Sequence, residues 1–178
     1  CIGSNGKVDT VCVFSDTPIY AVEEILIDYH SITSVNLLKL LLKNFYNINP
    51  NLKKTAHGFE KKISKSQAAL VIGDKAFSLH KKHKYVYDLS EAWFKMTGLP
   101  FVFACWIAKK EISQKILNEI NSSFLYGINN IDCALKSKKI NNIDNKTVKF
   151  YLKNRISYKF DIQKKKAMAI FLEQITYL

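Results

Sequence analysis

The chain has 178 residues, 48% of them hydrophobic and 12% aromatic, which suffices for a packed core and excludes a disordered polyelectrolyte. The formal charge is +12, but the cations are scattered lysines and Arg155 is the only arginine. Readers of base edges depend on arginine and no nucleic-acid motif is present, so the charge is read as a field for small anions, with no nucleic-acid partner.

Thr10–Phe14 (TVCVF) is β-branched and aromatic and predicts a strand, closed by a turn at Ser15–Pro18. Ile25–Asp28 (ILID) is a short continuous apolar run of the kind buried on both faces of a sheet. Ser31, Thr33 and Ser34 precede a helix predicted over Val35–Tyr46, where Leu38, Leu41, Leu42 and Phe45 form one stripe, and Asn47–Pro50 ends it. Ala68–Asp74 predicts a second buried strand closing on Gly73–Asp74, then a short helix over Lys75–His80 and an extended stretch over Tyr85–Leu89. Ser90 is the predicted cap of a helix over Glu91–Met96 that stops at Gly98 and Pro100. Phe101–Ala108 (FVFACWIA) is the strongest strand candidate. From Glu111 the pattern is helical, to about Tyr126 and again at 145–154 and 163–176. Alternating strands and helices predict βαβ units around a parallel sheet, with ligands at the carboxyl ends of strands beside helix N-termini.

That rule bears on the hydroxyls. A helix start needs one capping residue, and here three stand in four positions. Either the cluster is a cap, or it receives a carboxylate or phosphate together with the free helix amides. Gly73 and Asp74 mark a second polar strand end. His30 adjoins the hydroxyls as a base or as a local hydrogen-bonding group. His80 and His83 stand at i, i+3 without a third ligand and read as a solvated helix end; His57 needs no role, and Trp93 and Trp106 read as core. The cysteines, Cys1, Cys12, Cys105 and Cys133, form no CxxC; Cys12 and Cys105 read as buried thiols in a reducing, cytoplasmic setting. The longest apolar run, Leu99 to Ala108, is shorter than the roughly 20 residues that a membrane helix needs, so no membrane partner is expected. No dinucleotide, P-loop, serine-hydrolase or zinc-protease motif occurs.

Several stretches together carry a resemblance: CIGSNGKV at 1–8, SITSVNLLKLLL at 31–42, ALVIGDKAF at 69–77, DLSEAWFKMTGLPFVFACW at 88–106 and YLKNRISYKF at 151–160. The chain resembles the chorismate dehydratases of the futalosine route to menaquinone. A sister enzyme of that route has a catalytic histidine after the strand at 69–72, where this chain has Gly73–Asp74, which favours the dehydratase. The resemblance implies an α/β, periplasmic-binding-protein type 2-like two-lobed fold with a parallel or mixed sheet. Residues 1–178 are expected as a single dehydratase-like domain lacking its N-terminal portion, with a second lobe and crossover strands in 1–105. Residues 106–178 are expected as C-terminal helices that pack on the first lobe. Their apolar faces, Phe150, Leu152, Ile170 and Phe171 among them, are then expected to lack cover, giving self-association through the exposed lobe interface.

The implied reaction is loss of water from chorismate to give 3-[(1-carboxyvinyl)oxy]benzoate, a hydro-lyase step driven by aromatisation that needs no cofactor and no metal. Ser31, Thr33, Ser34, Gly73 and Asp74 are the implied substrate-binding residues, with Asp74 orienting neighbours or capping the next helix. Ser4 is the implied catalytic residue, helping proton transfer or positioning the leaving hydroxyl. The rival readings are a solute-binding module without chemistry and an inactive fragment of the dehydratase.

Overall fold

The computed structural model describes residues 1–28, 31–55, 58–59, 63, 66–137 and 143–178. In chain order these form β1 (Ile2–Ser4), β2 (Val11–Ser15), β3 (Glu24–Asp28), α1 (Ile32–Leu41), β4 (Asn51–Thr55), β5 (Gln67–Ile72), α2 (Lys75–Leu79), β6 (Tyr85–Asp88), α3 (Leu89–Thr97) and β7 (Phe101–Ala104). Four helices follow: α4 (Gln114–Asn129), α5 (Ile131–Ser137), α6 (Asn145–Phe150) and α7 (Ile162–Ile175). α1 and α6 each run on into a π turn, over Leu42–Tyr46 and Tyr151–Arg155.

The main sheet has the order β4-β3-β5-β2-β6. β3 is parallel to β4 and β5, whereas β2 is antiparallel to both β5 and β6. The sheet is therefore mixed where its core is expected to be parallel. The physical reason is that β2, flanked on both sides, has all five residues buried, and a fully buried strand has the same apolar composition in either direction. β1 and β7 form a separate antiparallel pair, joined near Gly3 by a bridge to Ser157.

Side-chain alternation divides the core in two. Val11, Val13, Ile25, Ile27, Ala68 and Leu70 face α1 and α3, and Cys12, Phe14, Leu26, Ala69 and Val71 face Ala76 and Leu79 of α2. Leu37, Leu38, Leu40 and Leu41 of α1 are all fully buried, because α1 packs on α3 and α7 as well as on the sheet. Each such leucine stabilises the fold by about 1.5–3 kcal/mol. Trp93 of α3, Phe101 of β7 and Phe171 of α7 meet edge to face and tie the C-terminal helix to the second pair of strands.

Several expectations are corrected. α3 starts at Leu89, and its cap is Asp88 rather than Ser90: the carboxylate accepts from Ser90 N and Glu91 N at 3.0 and 3.1 Å. The strand after Pro100 stops at Ala104, since its partner β1 is only three residues long. The chain beyond it has no ladder, so Trp106 is 80% exposed instead of core, and Cys105 is only half-buried. The C-terminal apolar faces are covered unevenly. Phe171 is buried at 4% exposure, whereas Phe150 is half exposed and α4 buries none of its residues.

Candidate functional site at one edge of the sheet

Strand directions bring the polar strand ends together. β6 runs against β2, as β5 does, so β3, β4, β5 and β6 all end on the edge where β2 begins. The registers put Cys12 opposite both Val71 and Asp88, and Asp28 opposite Thr55. The helices that follow these strands therefore all start at this edge, α1 and α3 on one face and α2 on the other. This is the edge where open α/β sheets bind ligands.

At the start of α1, Ser31 is the cap: its Oγ accepts from Ser34 N at 3.2 Å and donates to Ser34 Oγ at 2.8 Å. Ser34 is buried, and Thr33 is half-buried with no side-chain hydrogen bond among the described residues. The three hydroxyls thus divide into a cap, a buried partner of that cap, and a free group. His30 and His57 lie outside the described residues.

At the start of α2, Gly73 takes a left-handed turn, φ +71°, and donates its N–H to Thr10 O at 2.8 Å. Asp74 follows, exposed, without a side-chain capping bond. Its carboxylate is one of three, with Asp9 and Asp88, that raise the Tyr151 phenol, although burial is the larger cause. Asp74 lines a cavity of about 750 Å³ between α2 and α6, with Asp9, Phe77, His80, Asp144 and Tyr151. A second, apolar groove of about 1340 Å³ lies between the β1–β7 pair and α4, lined by Ile2, Cys105, Trp106, Phe124 and Tyr158. Ser4, Ser31, Thr33 and Ser34 line neither of these two. The structure gathers the expected residues along one edge but on both of its faces.

Ser4 ends β1 and is fully buried, with its Oγ 2.5 Å from Ser90 Oγ in the first turn of α3. Beside this pair lies Asp88, 3% exposed. One carboxylate oxygen caps α3, and the other accepts from Val8 N at 2.8 Å and Asp9 N at 2.6 Å. Burial nonetheless pushes the Asp88 carboxyl above its ordinary value against the pull of these amides. Burial likewise raises the Cys12 thiol well above its ordinary value, which makes it a packed, unreactive thiol.

Asp9 stands at the same corner with φ +65°, unusual for a residue other than glycine. Its carboxylate pairs with Arg155 and Lys7, and its carbonyl takes His80 Nε2 at 2.6 Å. Thr10 bonds Tyr151 Oη at 2.9 Å. His83 contacts Asp16 at 3.0 Å. The two histidines are thus committed to different partners, and no three metal-ligating side chains gather among the described residues. Asp88 is the functional candidate that the residue pattern passes over. Its one readable signal is Asp88 standing three residues before Glu91 at a helix start.

A mixed α/β fold with a polar strand-end edge is the class this architecture defines. Residues 1–177 match the family described as menaquinone biosynthesis, and the chain belongs to that family. It is similar to the chorismate dehydratase of Campylobacter jejuni, 31% identical over 142 residues that are 75% of this chain and 60% of that protein. It is also similar to the chorismate dehydratase of Thermus thermophilus, 32% identical over 123 residues, 60% of this chain and 45% of that protein. The chain therefore spans about half the length of the curated relatives it matches. No helix among the described residues is long and apolar enough to cross a membrane.

Proposed function

We propose that the chain carries one lobe and the C-terminal helices of a cytoplasmic chorismate dehydratase, with the two-lobed fold of periplasmic binding proteins. The observation that supports this most is the convergence of Ser31–Ser34, Gly73–Asp74 and the Ser4–Ser90 pair on one ligand-binding edge of the sheet in a chain of this family. Loss of water from chorismate calls for its two carboxylates to be held while a ring proton and a hydroxyl leave. Thr33 and the free amides at the start of α1 would hold a carboxylate, since charge-assisted hydrogen bonds favour that group at a helix N-terminus. Gly73 and Asp74 would meet the substrate from the next strand end. The Ser4 hydroxyl would hand on the proton or steady the leaving hydroxyl, with Ser90 as its hydrogen-bond partner. The product would be 3-[(1-carboxyvinyl)oxy]benzoate. In the longer relatives, the exposed side of α4 and residues 105–107 would pack on the lobe that this chain does not span.

One observation favours binding without chemistry: Ser4 has no exposed surface. For Ser4 to act, the stretch from Asn5 to Lys7, ahead of the two amides held on Asp88, must shift to admit substrate. Gly6, at φ +102°, is the residue there whose backbone is least restrained by a side chain. Calorimetric titration with chorismate, run beside an assay for the aromatic product, separates the readings. Binding with turnover that Ser4→Ala abolishes supports the dehydratase; binding with no turnover in any context supports the solute-binding module.

A further inference from the structure

The strand that bears Ser4 holds its backbone, through β7 and the Gly3–Ser157 bridge, but not its hydroxyl. β1 is three residues long, and its register with β7 shifts between Ile2 and Gly3. The hold on the hydroxyl comes from across the edge. The Ser4 hydroxyl meets Ser90 Oγ, and Ser90 N lies on Asp88 Oδ1. The chain leaving Ser4 returns to the same carboxylate, where Val8 N and Asp9 N meet Oδ2. A cap alone uses the first oxygen and leaves the second to solvent. Here the second is buried and takes two consecutive amides, and the chain then turns away through the left-handed bend at Asp9. We propose that Asp88 is the positioning residue of this site: one carboxylate clamps both the segment after Ser4 and the helix start that carries Ser90, and so fixes the hydroxyl pair. This rests on the dehydratase reading only in giving Ser4 a part in the reaction.

Asparagine has the volume of aspartate but one oxygen, so Asp88→Asn sets an amide donor against amide donors on one side of the clamp. Cys12 Sγ, 3.8 Å from Oδ2, offers no replacement acceptor of comparable strength.

The test is NMR on the 178-residue chain with labelled serine and backbone amides. In wild type, Val8, Asp9, Ser90 and Glu91 amides should titrate together with one midpoint, and the Ser4–Ser90 hydroxyl proton should exchange slowly. Asp88→Asn should remove the common titration, speed the hydroxyl exchange by about tenfold or more and move the Ser4 Cβ shift, while α1 and α2 amides stay in place. Ser90→Ala should move Ser4 Cβ but leave the Val8 and Asp9 amides. Asp144→Ala, which removes an exposed cap on α6, should leave Ser4 untouched. An unchanged Ser4 Cβ shift and hydroxyl exchange in Asp88→Asn, or a Ser4 response equal to that of Asp144→Ala, overturns the proposal. If Asp88→Asn fails to fold, Ser90→Ala and the wild-type titration decide: separate midpoints for the Val8/Asp9 and Ser90/Glu91 pairs overturn it. In an assembly that turns over chorismate, Asp88→Asn should lower kcat about tenfold with KM nearly unchanged. Absence of turnover in wild type defeats the dehydratase reading alone, because the NMR result stands without it.

Discussion

Thr33→Val is the sharpest perturbation of the hydroxyl cluster, because the structure separates its three members. Ser31 caps α1 and bonds Ser34, and both are committed within the fold, whereas the Thr33 hydroxyl has no side-chain partner among the described residues. Valine keeps the shape of threonine and removes only the hydroxyl, so folding stability should change by less than about 0.5 kcal/mol. Ser31→Ala should cost about 1 kcal/mol through the lost cap. Binding should respond the other way. A hydrogen bond to a charged carboxylate is worth roughly 1.5–3 kcal/mol, and a factor of ten in affinity is about 1.4 kcal/mol, so Thr33→Val should weaken chorismate binding by about ten- to a hundredfold. Urea unfolding and calorimetric titration of the same samples measure both effects. Unchanged affinity in Thr33→Val, with a stability loss confined to Ser31→Ala, would show that the cluster is a helix cap and nothing more.

Phe171→Ala should destabilise the chain by about 3–5 kcal/mol in urea unfolding, since Phe171 is 4% exposed and its ring lies against both Trp93 and Phe101. Gly3→Ala should separate β1 from β7, because an added Cβ would lie 2.7 Å from Phe101 O; unaltered or slower amide exchange along the β1–β7 ladder, read apart from the bonds that Gly3 makes to Ser157, would contradict this. A raised folded-state carboxyl at Asp88 means that the folded chain binds this proton more tightly than the unfolded chain. Asp88 therefore opposes folding at neutral pH, and this opposition is relieved as pH falls through the window just above 3.8. Asp9 adds to this upward push, and Asp88 in turn raises Cys12, Tyr46 and Tyr151, so none of these groups reverses the direction. Wild type should gain stability relative to Asp88→Asn on acidification through that window, and the two should run parallel near neutrality. The 178-residue chain should self-associate through α4, where Trp106 stacks on Phe124 and Leu125 and Tyr126 are exposed, and Leu125→Lys should reduce that association in size-exclusion chromatography.

What the residue pattern revealed follows from its range. β2, β3, β5 and α1 were legible because burial on both faces, or one apolar stripe, writes a periodic signal over consecutive positions. β4 was not: Asn51–Thr55 (NLKKT) is an edge strand whose lysines protect its open side and hide its period. β1 is too short to carry a period, and the direction of β2 is set by pairing, not composition. Ser31 as a cap was readable locally, as was a helix start near Ser90. That Asp88 supplies the cap and also holds Val8 and Asp9, 80 and 79 residues away, is purely tertiary. The same holds for Tyr151 and Arg155, which a π turn brings onto Thr10 and Asp9.

The most direct test of the account is a titration of the isotopically labelled chain with chorismate, followed amide by amide. The account predicts saturable shifts concentrated at Ser31–Ser34, Gly73–Asp74 and the residues around Ser4 and Ser90, weakened by Thr33→Val. Shifts confined to the apolar groove by Trp106 and Phe124, or no saturable shifts at this edge of the sheet, would contradict it.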